Sequence, residues 1–426
     1  MSTDPLALCD PQPPGDFEPP PDGGWLAWLH AVFGAFAIFN CWGLNLSFGV
    51  FEAYYKTIYI PNHSHSTIAW IGSIQLFLIF FTAIVVGRCY DFGWSRVFFT
   101  GGSIGLVIAV YLTSLCKSWG ALFAVQGILT GMMQGMVFCS GILVVTEYFD
   151  KNLGLAIGIS AAGSSVGGIV YSLMAQHLLL TAGFEKTIQY MGIVVILTMI
   201  PSNIVLRSRR KKRSGKAQQA VVDFGFLRDP SYLMLLWGMF FSFWSLYFGF
   251  YYIVSYAYNV LQLPPEQSTN VLLVMLAANL PGRFVPALLS DRCLGPINTL
   301  IPSVLITALV IFLWIGTNTP SGLYILGAFY GFASAGLQSL FSPAITEFCR
   351  GDDGTKGLKN AVVFVAIGLA CLTGTPIGGA LIDSGNTPEG LPYLWAQIFA
   401  GGAMTLGGIC FIASRVMKVG WGPVRT

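Results

Sequence analysis

The feature that most restricts this 426-residue chain is a series of apolar runs, each about as long as a bilayer is thick. They fall near residues 25–53, 67–87, 97–116, 121–146, 155–180 and 187–206, then near 232–258, 268–289, 299–316, 322–346, 361–382 and 391–416. A helix rises about 1.5 Å per residue, so roughly 20 apolar residues cross about 30 Å of hydrocarbon. Inside that layer every backbone N–H and C=O needs a partner within the protein, a demand that a helix meets on its own. The expected fold is therefore all-α, with twelve transmembrane helices. With 54% of residues hydrophobic and 10% charged, a water-soluble domain is excluded.

Polar stretches divide the chain. Residues 1–24 are rich in proline and acidic side chains and read as a disordered tail; they contain no apolar run of the signal-peptide kind. Residues 25–207 form a first group of six spans, 208–231 a basic linker, 232–417 a second group of six and 418–426 a short tail. Of the 22 lysines and arginines, all but Lys56, Lys117, Lys186 and Arg283 fall on the side of the two chain ends. Positive charge stays in the cytoplasm, so both ends are expected there, in the plasma membrane or else in an internal membrane such as the vacuole's. Asn62-His63-Ser64 is then a glycosylation candidate at Asn62 on the outer side, in a loop short enough to disfavour modification. The basic residues cluster in loops without an aromatic stripe, which argues against nucleic acid. The nine cysteines are scattered without a C-x-x-C pair, and the four histidines are dispersed. Neither set suggests a disulfide, a metal site or a cofactor. An embedded enzyme would need convergent acids, bases or metal ligands, and no such cluster is visible.

One cation stands apart. Arg283 lies inside the eighth apolar run, one helical turn after Asn279. A guanidinium at membrane depth costs about 2.5–3.5 kcal/mol on insertion scales, and it persists where it faces a watery cavity, a counter-charge or a ligand. Arg283 is therefore expected to face a central substrate cavity. The adjoining Pro281 and Gly282 are expected to loosen the local backbone ladder.

The two groups of spans echo each other. GRCYDFGWSR ends the second run and GRFVPALLSDR the eighth, while TEYF closes the fourth and TEFC the tenth. Asp91 and Asp291 thus occupy matching places. Glu147 and Glu347 can pair with Arg96 and Arg292, forming a gate on the cytoplasmic rim. The plain alternative is a rim of solvated helix-end charges.

These residues carry a family resemblance. PDGGWLAW from Pro21, FNCWGLNLSFGVFEAYY in the first run and YFDKNLGLAIGISAAGSSVGGIVYSLM from Tyr148 resemble the major facilitator superfamily, in particular the fungal branch of its monocarboxylate transporter-like members. The resemblance implies two pseudo-symmetric six-helix bundles, a site between them near the midplane and alternating access by rocking. It also implies a proton-coupled pair of Asp and Arg on the eighth span and a Lys in the first. Here the Arg is Arg283, but the Asp position holds Asn279 and the Lys position falls on Asn45 or Leu46. In the second-span loop, Phe92 stands where a basic residue is usual and Trp94 where glycine is usual. Protons are therefore a candidate partner whose site is not evident.

Other candidate substrate contacts are Asn45 on the first span, Gln134 on the fourth and Gln338 on the tenth, the last two read as a symmetric pair. Each amide could equally be a satisfied helix–helix hydrogen bond. On the seventh span Trp244, Tyr247, Phe248, Tyr251 and Tyr252 could bind an apolar solute, with Tyr247 and Tyr251 the chosen candidates; helix packing is the commoner use of such rings. Small residues in GISAAGSSVGG and GLACLTGTPIGG mark close helix crossings. The function these features favour is secondary active or facilitative transport of a small organic solute, anionic or carboxylate-bearing because of Arg283, by a monomeric unit. Export of a neutral or apolar secondary metabolite, or a non-transporting nutrient receptor, is the alternative.

Overall fold

The computed structural model describes residues 21–90, 94–149, 152–209, 225–348, 356–384, 391–420 and 422. Twelve helices in it are long and apolar enough to cross a membrane. They are α1 (Gly24–Tyr59), α2 (His65–Gly87), α3 (Ser95–Ser114), α4 (Trp119–Thr146), α5 (Leu155–Thr181), α6 (Gly183–Val205), α7 (Pro230–Asn259), α8 (Pro265–Leu294), α9 (Pro296–Ile315), α10 (Pro320–Phe348), α11 (Leu358–Asp383) and α12 (Leu394–Val419). Four of these helices, α7 to α10, open on proline, whose fixed φ suits a first turn and whose missing N–H is not needed there. Ahead of α7, Asp229 also caps the backbone N–H of Ser231 at 2.9 Å. An even number of spans returns the chain to the side on which it began, so α1 starts and α12 ends on one side, here the terminal side. The opposite side is the far side.

Leucine, isoleucine, valine and phenylalanine cover the outer surface. Leu197 is 66% exposed, Ile204 61% and Phe329 60%, as lipid-facing positions should be. Hydrocarbon outside gives helices little hydrophobic drive to associate, so close packing and polar contacts hold them together. Glycine supplies the closeness. A Cβ at Gly163 would lie 2.1 Å from the Ala35 carbonyl oxygen on α1, and one at Gly374 2.0 Å from that of Trp244 on α7. These small-residue runs therefore bring α5 onto α1 and α11 onto α7 within each half. The same runs also reach across: Gly168 meets Leu276 of α8 and Gly379 meets Ser66 of α2.

Side-chain hydrogen bonds between the halves run from mid-membrane to the far side. Ser165 donates to Asn279 at 2.9 Å, Gln176 to Asn270 at 3.0 Å, and Ser73 pairs with Thr375. Nearer the far surface, the Ser66 N–H donates to Asp383 at 3.0 Å, and Ser255 on α7 donates to Glu52 on α1. Among the described residues, none joins the halves on the terminal side. This conformation is closed on the far side.

α8 stays helical through Pro281, which has no N–H for the Ala277 carbonyl, so the ladder loses that bond without the helix ending. Gly282 instead admits the α10 backbone, because a Cβ there would lie 2.4 Å from the Phe332 carbonyl oxygen. A π-helical turn over Ser290–Leu294 then follows Pro286 and ends at Gly295 with φ 84°.

Candidate functional site

Arg283 sits just past the middle of α8 and is 6% exposed. Its Nε donates to Asn279 Oδ1 at 3.0 Å, and one terminal nitrogen donates to Gln338 Oε1 at 2.6 Å. Both partners are neutral amides. A guanidinium has five N–H donors, so three remain for something else. Asn279 is itself fixed, donating to the Gly331 carbonyl at 3.1 Å while its oxygen also accepts from Ser165 of α5. The residue that replaces the expected carboxylate thus holds the arginine side chain in place and ties α8 to the opposite half. Gln338 orients its oxygen toward the cation, leaving its Nε2 buried without a partner. Tyr247 lies within electrostatic reach of Arg283. Arg283, Asn279 and Gln338 are therefore brought together, a grouping that the sequence spacing of α8 and α10 did not reveal.

An aromatic cluster begins one helical turn further along α10. Phe341, one turn after Gln338 on α10, packs with Phe243 of α7 at 5.5 Å between ring centroids and with Phe364 of α11 at 6.0 Å. Phe80 of α2 meets all three edge-on, at 6.1 Å from Phe243, 6.4 Å from Phe341 and 6.0 Å from Phe364. Sequence reasoning missed this cluster, because single phenylalanines on four different spans carry no pattern.

The other candidate residues lie elsewhere. Gln134 is fully buried in the first half, accepting from Gln75 at 2.8 Å and donating to the Asn40 carbonyl at 3.5 Å. It is not the counterpart of Gln338: the spacing that superposes Glu147 on Glu347 puts Ser334 opposite Gln134 and Phe138 opposite Gln338. Asn45 is buried where α1 meets α7; its oxygen accepts from Tyr251 at 3.5 Å and its Nδ2 has no partner. Tyr247 and Tyr251 are buried at helix junctions, with Tyr251 against Gly72 of α2 and Phe48 of α1. Asn62 is exposed in the turn between α1 and α2.

On the terminal rim, Arg96, Asp291 and Arg292 are exposed and Glu347 is half-buried. Glu147 accepts from Ser208 Oγ at 3.0 Å and from the Arg209 backbone N–H at 2.6 Å, contacts made by the start of the linker. Asp91 lies outside the described residues.

Comparison with known proteins fits this architecture. Residues 31–315 match the model of the Major Facilitator Superfamily. An MFS-type transporter of Gibberella zeae is 36% identical over 407 residues, covering 95% of this chain and 90% of that protein. An aspyridones efflux protein of Emericella nidulans is 29% identical over 413 residues, covering 97% and 82%. Among solved structures, the nucleoside transporter NupG superposes with a TM-score of 0.69 over 91% of this chain and 99% of that one, at 14% identity.

Proposed function

The chain belongs to the Major Facilitator Superfamily and is a membrane transporter, and we propose that its solute is an organic anion with a sizeable apolar body, moved outward. The observation that carries this reading is Arg283, a buried cation whose protein partners are two amide oxygens. Burying a lone charge is costly, and a carboxylate or enolate arriving at the free donors would offset that cost through paired, charge-assisted hydrogen bonds. The rings of Phe80, Phe243, Phe341 and Phe364 supply apolar surface for the rest of the molecule. The relative named as an aspyridones efflux protein supports the outward direction and a secondary metabolite as cargo. The likeness to monocarboxylate porters noted in the sequence supports a carboxylate headgroup.

The halves 25–207 and 232–417 rock as units about the α5–α8 and α2–α11 seams, in a single chain, with the chain ends in the cytoplasm and the far side outside. Glu147, Glu347, Arg96 and Arg292 close the terminal rim when the far side opens.

The test is efflux of a mass-resolved panel of organic acids and neutral analogues from cells expressing the wild type or Arg283→Ala at matched abundance, with and without a protonophore. Flux of acids that is lost in Arg283→Ala supports the reading. Equal flux in both proteins overturns it and favours a neutral solute.

A further inference from the structure

The far-side seam contains an acid–base pair that the solute site does not use. Glu52 on α1 is completely buried, and one of its carboxylate oxygens lies 2.5 Å from Nδ1 of His65 at the start of α2. The other oxygen accepts from Ser255 on α7, in the opposite half. Among the described residues this is the ion pair the structure contains, and it sits where the two halves close. The geometry points to a proton-binding site: the Glu52–His65 pair takes up one proton when the far side closes and gives it back when that side opens.

Net charge decides how many protons the buried pair holds. With no dissociable proton the pair carries −1, with one it is neutral, and with two it carries +1. A buried site strongly disfavours either net charge. Of the charges around the pair, Asp383 favours the proton more strongly than Lys56 opposes it. Tyr252 of α7 and Tyr393 before α12 face Glu52 and bring neutral phenols, while Asp383 at the end of α11 and Lys56 on α1 are the nearest formal charges, of opposite sign. Asp383 is engaged by the Ser66 N–H, and Lys56 donates to the His63 carbonyl at 2.9 Å. The closed state therefore holds one proton on the pair. When the far side opens, Ser255 withdraws with α7 and water reaches both groups. A hydrated carboxylate titrates near 4.3 and a hydrated imidazole near 6.5, so above about pH 6.5 the open pair holds none.

Closing then binds one more proton than opening leaves in place. The closed-to-open ratio should be level between about pH 4.3 and 6.5, where the open pair already carries its proton, and should fall about tenfold per pH unit above that. Lower pH favours closure. The inference is independent of which solute is carried, since the gate can be read without one.

The experiment measures spin-label distances in the full chain in lipid nanodiscs, with labels on Asn62→Cys and Ser384→Cys and with Cys9, Cys293 and Cys349 replaced by serine. Positions 62 and 384 are exposed on opposite halves of the far side. The short-distance population of the wild type should hold steady from pH 5 to 6.5 and drop towards pH 8.5. In Glu52→Gln the neutral amide requires a neutral imidazole, so the slope should reverse, with closure lost below about pH 6.5. In His65→Gln the carboxyl must be protonated to close, so the plateau should vanish and the fall should begin near pH 4.3. A wild-type population that does not change with pH overturns the proposal. So does a Glu52→Gln profile that matches the wild type, and if that variant does not fold, a plateau retained in His65→Gln has the same force. None of these outcomes depends on Arg283, so failure here leaves the proposed solute untouched, and the reverse holds too.

Discussion

Gly49 is where the closed far side has least room. It lies on α1 against α7 of the other half, and an added Cβ would stand 2.2 Å from the Phe250 carbonyl oxygen. A carbon and a carbonyl oxygen in contact sit about 3.3–3.6 Å apart, so Gly49→Ala requires the two helices to separate by about 1 Å. Overpacking of this kind costs about 1–3 kcal/mol, and because α7 moves away when the far side opens, only the closed state bears it. At about 1.4 kcal/mol per factor of ten, the closed-to-open ratio should drop roughly 5- to 150-fold. The gain in helix propensity on replacing glycine, about 1 kcal/mol, applies equally to both conformations and cancels. The distance measurement between positions 62 and 384 reads the change directly. Gly402→Ala on α12, where the added carbon meets nothing within 4 Å, is the control and should leave the ratio alone. An unchanged ratio in Gly49→Ala, or the same shift in both variants, would refute the claim that this seam sets the closed state.

Two further predictions concern charge and orientation. Asn279→Asp would set a carboxylate against the guanidinium that its amide oxygen now meets at 3.0 Å. The new ion pair should compete with an anionic solute and weaken its binding by about 1.5–3 kcal/mol at neutral pH while leaving a neutral analogue unaffected; binding of the two solutes side by side checks this. Cys293, exposed at the terminal end of α8, should react with a membrane-impermeant maleimide only when the reagent reaches the cytoplasmic face. Labelling of intact cells that disappears in Cys293→Ser would invert the proposed orientation.

The fold was legible because its cause is local: an apolar run of about 20 residues has one economical way to cross hydrocarbon. Arg283 was legible for the same reason, since a charge at membrane depth needs an explanation whatever surrounds it. Its setting was not. Asn279 and Gln338 could be named one at a time, but their convergence on Arg283 depends on how α10 packs against α8 through Gly282. Reading Gln134 as the partner of Gln338 failed because matching by residue type ignored the register that the paired glutamates fix. Glu52 and His65 were overlooked for a different reason. Each lies near the end of an apolar run, where a charged or ionisable residue ordinarily needs no partner, and only the fold turns α1 back through a short loop to bury both against α7. An acidic residue inside SFGVFEAYY was the available signal.

The central claim is that Arg283 binds the charged end of the solute. Once a transported acid is found, the decisive measurement is its binding affinity beside that of its methyl ester, in the wild type and in Arg283→Ala. The account predicts that the wild type prefers the acid by about 2–3 kcal/mol, roughly 30- to 150-fold, and that Arg283→Ala binds acid and ester alike. A preference for the acid that survives in Arg283→Ala would contradict it.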